Sequence, residues 1–396
     1  MFETLFFWVL LLITAASFYL TSASQFRIRA VTLTGASLLA IAFVVKLNPI
    51  WILFLIVTSV WILIGLRLTG ALAKRRPMLA SWLVFLPVLI AWVLGKQAVA
   101  LHWTPLTILY FVGFSFYLIK AWTLIKDYHD GRIEQLDPSV MLAYFFFFPA
   151  YIAGPMHYFG EFDRTIRNPT GLNGEKLVDI VFRILLGFAK IKLVAALFTP
   201  VSLEAASAAG RLGWRSLIIG SFAYSIVIWA DFSGYSDLAI GTSRLIGIEV
   251  PENFNYPYAA ANIREFWQRW HITFSRVLTG YIFIPVSRRL QQLFGERRNP
   301  VLILSYLATF LFCGYWHGPT LNFLLWGIYH GIGLIVYDLY RQGTMQRRLR
   351  RKDQPRSRFL APVAHAGSVL LTFSFVSMGW ILFVLPTEMI FKRLSR

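Results

Sequence analysis

The sequence predicts an all-α, polytopic membrane protein, and three observations carry that prediction. Hydrophobic residues make up 57% of the 396 residues, aromatic residues 17% and charged residues only 14%. With a mean hydropathy of +0.60, the chain has too little polar surface for a soluble domain. Long apolar runs recur, and at about 20 residues per span the length accommodates roughly ten to twelve transmembrane and re-entrant helices. The basic residues sit between those runs. No stretch rich in Gly, Ser or Pro interrupts the chain, so residues 1–396 are read as one integral membrane domain, with N-terminal helices over 1–135 and a motif-bearing region over 136–385.

The first run, "MFETLFFWVLLLITAASFYLTSAS", has Glu3 and no Lys or Arg ahead of a long apolar core. It reads as a first membrane helix and not as a cleaved signal peptide. Apolar runs follow near 30–45, 49–66, 78–95 and 100–125. The connections alternate in charge: Arg27 and Arg29, then only Lys46, then Arg67, Lys74, Arg75 and Arg76, then only Lys96, then Lys120, Lys126 and Arg132. By the positive-inside rule the strongly basic connections are cytoplasmic, and the N-terminus is extracytoplasmic.

From 138 to 290 the regular spans give way. "MLAYFFFFPAYIAGPMHYFGEF" carries Pro and Gly inside an apolar run, and residues 177–200 mix Arg183, Lys190 and Lys192 into a helical pattern. Such segments suit interfacial or re-entrant helices, because backbone irregularity at membrane depth needs protein or water around it. Spans resume at 300–316, 319–340 and 361–385, the last two separated by "RQGTMQRRLRRKDQPRSR", eight basic residues against one acid. That connection is predicted to be cytoplasmic.

The formal charge of +19 does not point to nucleic acid, since the basic residues are placed as topology signals and as contacts for anionic membrane lipids. A single cysteine, Cys313, excludes an intramolecular disulfide and a cysteine-based metal cluster. His271 and His317 lack carboxylate or cysteine neighbours at a metal-ligand spacing, so no metal site is expected.

"GYWHGPTLNFLLWGIYHG", residues 314–331, places His317 and His330 in an otherwise membrane-like stretch. With 319–340 as one helix, Pro319 takes its first position and His317 lies just outside its start. The positive pole there would leave a neutral ring able to accept a proton; a turn histidine bonded to carbonyls is equally compatible. His330, 13 residues on, falls about 20 Å along the axis, so the two rings are expected to have different jobs. Gly327 and Gly331 flank His330 and can seat a neighbouring helix, which favours interhelical hydrogen bonding by His330. Cys313 reads as packing.

A second polar cluster covers 231–286. Asp231 and Asp237 sit among apolar residues and are expected to be buried in protein, with Arg244 and nearby tyrosines as partners. In "REFWQRWHITFSR", Trp267, Trp270 and His271 fall at i, i+3 and i+4, with Arg264 a turn before, so on one helix they share a face. Such a face could line a substrate tunnel or lie at the membrane interface; the spacing leaves both open.

Taken in order, "DFSGYSDLAIG", "PENFNYPY", "FWQRWHITFSR", "GYWHG" and "WGIYHG" resemble the membrane-bound O-acyltransferase family, in particular its bacterial branch of alginate O-acetyltransferases and teichoic-acid D-alanyl transferases. "FFFFPAYIAGPM" resembles the branch's Phe-Pro…Gly-Pro segment, and the likeness covers about 140–385. The sequence departs from the alginate-type pattern at Val277–Gly280, and "YIFIPVSRRL" lacks the pattern's Gly-Gly.

The resemblance implies a ring of helices around a tunnel open to both sides of a bacterial cytoplasmic (inner) membrane. The family histidine matches His317, as general base, and the branch's second histidine matches His271; His271, or an arginine near it, would orient the donor or stabilise an oxyanion. Trp267, Arg269, Trp270, Trp316, Asn253 and Asp237 are expected to line the tunnel, with His330 and Asp231 behind them. An acyl thioester, on coenzyme A or an acyl carrier protein, would donate an acyl group from the cytoplasm to hydroxyls of an extracytoplasmic polysaccharide or cell-envelope glycan. Acetyl is the first expectation and D-alanyl the second. No bound cofactor is expected; a periplasmic or surface acyltransferase and, for D-alanyl, an acidic cytoplasmic carrier are the expected partners, besides membrane lipids. The rival class is a transporter or flippase with Asp231, Asp237 and His317 as proton-relay groups, but no repeated halves are visible.

Overall fold

The computed structural model describes residues 2–44, 48–103, 112–351 and 361–394. Among these the chain is helical without a strand, the expected outcome where backbone polar groups must be satisfied within the segment. Among the described residues seven helices are long and apolar enough to cross a membrane, and two shorter apolar segments, Leu5–Leu20 and Pro138–Ala150, accompany them. The molecule is an all-α polytopic membrane protein.

Contacts divide the chain into two compact units, Met1–Ala189 with Gly234–Glu252, and Lys190–Ser233 with Asn253–Arg396. The first contains α1 (Leu5–Leu20), α2 (Phe26–Val44), α3 (Pro49–Ala73), α4 (Pro77–Ala100), α5 (Phe114–His129), α6 (Pro138–Phe146), α7 (Phe159–Arg167) and α8 (Gly174–Ala189). The early apolar runs match α1–α4 to within a few residues at most ends. The run at 100–125 does not hold as one helix: α5 begins only at Phe114, after Gly113 at φ +89°, where a Cβ would lie 2.4 Å from the Tyr151 ring. Lys46 and the basic residues beyond Arg341 in the 341–358 connection fall outside the described side chains.

Buried charge in this unit is placed by hydrogen bonds. Arg29, only 2% exposed, donates to the carbonyls of Thr21, Ile166 and Arg167 and to Thr21 Oγ1, so it closes the otherwise unbonded C-terminal end of α7. In α8 only Ile180 and Gly187 are buried, while Val178, Phe182 and Leu185 are exposed. This is an amphipathic helix with an outward apolar face, the arrangement of a lipid-facing segment.

The 33-residue α9 (Trp214–Ile246) is shared: its first part belongs to the second unit and its last part to the first. The second unit continues with α10 (Ile263–Arg269), α11 (Ile272–Val277), α12 (Ile284–Phe294), α13 (Arg298–His317), α14 (Leu321–Arg351) and α15 (Ala361–Val384). α13 and α14 form a tight antiparallel hairpin, and α14 packs on α15. Glycines permit the hairpin. A Cβ on Gly327 would stand 2.1 Å from the Phe310 carbonyl oxygen, and one on Gly314 would stand 2.3 Å from that of Phe323. The expected helix seat at Gly327 is therefore real, and the seated helix is α13.

Candidate functional site

The site is built on a break between two short helices of the second unit. α10 ends at Arg269, Trp270 is extended, and His271 takes φ +41° in the left-handed region before α11 begins. That conformation is uncommon for a side chain other than Gly and persists only where its surroundings enforce it. Here a strand-like stretch enforces it: Asn255 N–H donates to the Arg269 carbonyl and the Asn253 carbonyl accepts from Ile272 N–H, both at 2.9 Å. The Asn253 side-chain oxygen also accepts from Thr273 N–H at 3.3 Å and Thr273 Oγ1 at 2.9 Å. Asn253 thus caps α11 from outside it. Its role is to hold the turn that aims His271.

The break overturns the expectation that Trp267, Trp270 and His271 share one helical face. The Trp267 ring packs on Phe310 and His330, Trp270 on Phe254 and Trp380, and His271 on Phe232, Phe274 and Trp316. A 3.6-residue period cannot survive a change of backbone sign at 271.

His317 is the last residue of α13, and α14 starts at Leu321, so Pro319 is in the turn and not at a helix start. The dipole argument made from the sequence is corrected accordingly: His317 stands at the carbonyl end of α13. Its ring lies 4.8 Å from Trp316, 5.1 Å from Trp326 and 5.2 Å from Phe383, centroid to centroid. The Phe274 and Trp316 rings, 4.3 Å apart, both contact His271 and His317. The two histidines therefore share one aromatic pair. Burial, with a smaller contribution from His317, holds the His271 imidazole neutral, well below the usual histidine range.

His330 is fully buried, and among the described residues neither ring nitrogen has a hydrogen-bond partner, which corrects its expected interhelical bond. Its ring lies 4.9 Å from Trp326, so His317 and His330 flank the same indole. The expected 20 Å separation fails because Trp326 stands one helical turn before His330 and leans toward the start of α14, where His317 packs. Cys313, one turn before His317, is fully buried.

Asp231 is exposed, against expectation. Asp237 is buried as expected, but its partner is Arg183, at 3.1 Å, which also clasps Glu252; this cluster belongs to the first unit, and Arg244 pairs instead with Glu249. Arg269 pairs with Glu265 one turn before it. Among the described residues no group of three His, Cys, Asp or Glu side chains is placed to hold a metal ion.

Sequence reasoning missed one ionic cluster. Arg264 pairs with Asp338 on α14 and donates to Tyr306 on α13 at 3.3 Å, and Tyr306 donates to Asp338 at 2.8 Å. The signal was available: an acid inside an apolar helix calls for a cationic partner. This cluster ties α10, and with it the histidine turn, to the α13–α14 hairpin. Arg264→Leu leaves the 4%-exposed Asp338 carboxylate without its cation and is expected to cost about 3 kcal/mol. Adding Asp338→Leu should recover most of that loss in thermal unfolding of the solubilised protein. A single variant as stable as wild type would refute the assignment.

In chemical terms the site offers two imidazoles beside a shared aromatic pair, His271 buried and neutral and His317 partly exposed. The sequence profile of the membrane-bound O-acyltransferase family matches residues 77–377. The chain is 34% identical over 243 residues to a peptidoglycan O-acetyltransferase of Helicobacter pylori, an alignment covering 60% of this chain and 42% of that one. It is 27% identical over 320 residues to a teichoic acid D-alanyltransferase of Streptococcus thermophilus, covering 77% and 74%. It is 32% identical over 273 residues to a probable alginate O-acetylase of Azotobacter vinelandii, covering 69% and 50%. The matched region is thus about half or less of the two O-acetylating relatives.

Proposed function

The chain belongs to the membrane-bound O-acyltransferase family, and from that premise we propose that it is an O-acyltransferase that esterifies an extracytoplasmic polysaccharide or cell-envelope glycan. The donor is an acyl thioester from the cytoplasm, on coenzyme A or a carrier protein. The acyl group is acetyl, a reading supported by the higher identities, 34% and 32%, to relatives named for O-acetylation, against 27% to the D-alanyltransferase. The protein lies in the bacterial inner membrane with its N-terminus outside, as the alternation of basic connections supports. Membership of an acyltransferase family counts against the transporter reading.

The observation that carries the mechanism is the placement of His317 and His271 on one aromatic pair. His317 accepts the proton of the acceptor hydroxyl while its oxygen adds to the thioester carbonyl. The carbon–sulfur bond then breaks, and the leaving thiolate takes the proton back from His317. General-base help of this kind is worth roughly 10²–10⁴-fold, and holding both substrates at the ends of a tunnel contributes comparably or more. His271, kept neutral by burial, orients the donor. The acyl group passes to its polymer directly or through a periplasmic or surface acyltransferase. Under D-alanyl transfer, the alternative supported by the longer alignment to the teichoic-acid relative, cytoplasmic arginines receive an acidic carrier.

The test is chemical. Cells with and without the protein are treated with mild base, and the acid released from the surface polymer is identified by mass spectrometry. Protein-dependent acetate supports the proposal. D-alanine assigns the alternative, and no protein-dependent acid overturns both.

A further inference from the structure

Beside the shared aromatic pair lies a group of buried polar atoms that this mechanism does not use. Trp326 is 2% exposed, Trp267 7% and His330 0%. Among the described residues neither indole N–H, and neither nitrogen of His330, finds a hydrogen-bond partner. The three rings touch one another: Trp267 to Trp326 at 6.0 Å, Trp267 to His330 at 5.3 Å and Trp326 to His330 at 4.9 Å. They come from α10 and α14, so no single turn of sequence explains their meeting.

A buried donor without an acceptor is costly, and native proteins keep such groups where function needs them. Phe at 267 or 326 would fill similar apolar space without that cost. An indole N–H can only donate. Its missing partner must therefore bring an acceptor, and two indoles plus an imidazole N–H outnumber the one acceptor nitrogen of a neutral His330. The cluster suits an oxygen that carries or develops negative charge.

Position selects among the donors. Trp326 packs against His317, edge to face, with ring centroids 5.1 Å apart and planes 84° from parallel. Building on the acyl-transfer reading, we propose that the indole N–H of Trp326 is the donor that receives the thioester carbonyl oxygen, with His330 behind it as a second polar contact. When the hydroxyl oxygen bonds to the carbonyl carbon, the π pair moves onto the carbonyl oxygen and the hydroxyl proton moves to His317. The Trp326 N–H bond to the oxygen strengthens as the charge forms. When the carbonyl re-forms, the carbon–sulfur bond breaks and the thiolate leaves with its electron pair and the proton from His317. A donor that is idle in the resting enzyme and engaged as charge builds lowers the barrier selectively. It also moves the oxyanion-stabilising role from His271, where the sequence placed it, to a tryptophan.

The experiment measures the rate of base-labile surface ester formation in cells producing the full chain at matched levels. Trp326→Phe removes the donor with part of the ring. Replacement of Trp326 by 3-benzothienylalanine keeps the bicycle and exchanges N–H for sulfur. Both are expected to lower the rate about 10²–10³-fold, with thermal unfolding of the benzothienyl protein close to wild type. His317→Ala is run alongside. Loss of ester in His317→Ala with wild-type rates in both Trp326 variants overturns this inference and leaves the acyl-transfer mechanism standing. Loss in Trp326→Phe with retention in the benzothienyl protein also overturns it, because ring volume and not the N–H is then what matters. Retention of ester in His317→Ala overturns the underlying mechanism instead.

Discussion

His317→Ala is expected to reduce surface ester formation by at least about 10²–10⁴-fold, the range assigned to a positioned general base. The ring packs on Trp316, Trp326 and Phe383, so alanine also removes aromatic contact. His317→Gln separates the two effects, since it fills much of the space and can hydrogen-bond but cannot hold the proton at neutral pH. Both variants should lose activity, with the glutamine protein near wild-type stability. An active His317→Gln enzyme would eliminate His317 as the base and direct attention to His271, which contacts the same Phe274 and Trp316 rings. His330→Phe is a useful companion: a proton-carrying role would make it as damaging as His317→Ala, and the assignment of His330 as a supporting contact predicts a smaller loss.

The largest effect on stability is expected from Gly327→Ala. The added methyl would stand 2.1 Å from the Phe310 carbonyl oxygen and 3.3 Å from the Gly314 Cα. These are backbone atoms, so no side-chain rotation relieves the clash, and α13 must move away from α14. A loss of about 3 kcal/mol or more follows, at the upper end of overpacking costs. Because α13 ends in His317 and α14 carries Trp326, the shift should abolish activity in whatever protein remains folded. Gly331→Ala is the internal comparison. Its methyl would meet the Phe310 Cβ at 3.3 Å and the Tyr306 carbonyl oxygen only at 3.7 Å, so a modest change is expected. Equal effects at the two glycines in thermal unfolding would contradict the seat at Gly327.

Much of the fold was legible because hydrocarbon imposes a one-dimensional rule. A span must be long, apolar and internally hydrogen-bonded, and that can be counted along the chain. Hence α2, α3, α4, α13 and α15 lie close to their predicted runs. The errors fall where the rule is silent. The run at 100–125 hides a left-handed glycine at 113, and apolar composition does not reveal a break in backbone direction. Trp267, Trp270 and His271 fit a helical period on paper, but helical spacing presumes an unbroken helix, and the break at 270–271 is held open by hydrogen bonds that Asn253 accepts and Asn255 donates. Asp231 and Asp237, six residues apart in similar apolar surroundings, differ in burial, because the partner that buries Asp237 is Arg183, 54 residues away.

By itself the sequence determined that this is a multi-pass helical membrane protein, and its ordered motifs pointed to the acyltransferase family and to His271 and His317. Those properties depend on composition, spacing and residue identity, all of which are local. Only the tertiary structure decided which rings meet: that His271 and His317 share the Phe274–Trp316 pair, that His330 reaches the same Trp326 as His317, and that Arg264 neutralises Asp338 across 74 residues of chain. Ring contacts and ion pairs act over a few ångströms in space, and the close approach of α13 and α14 at Gly314 and Gly327 brings those distances about.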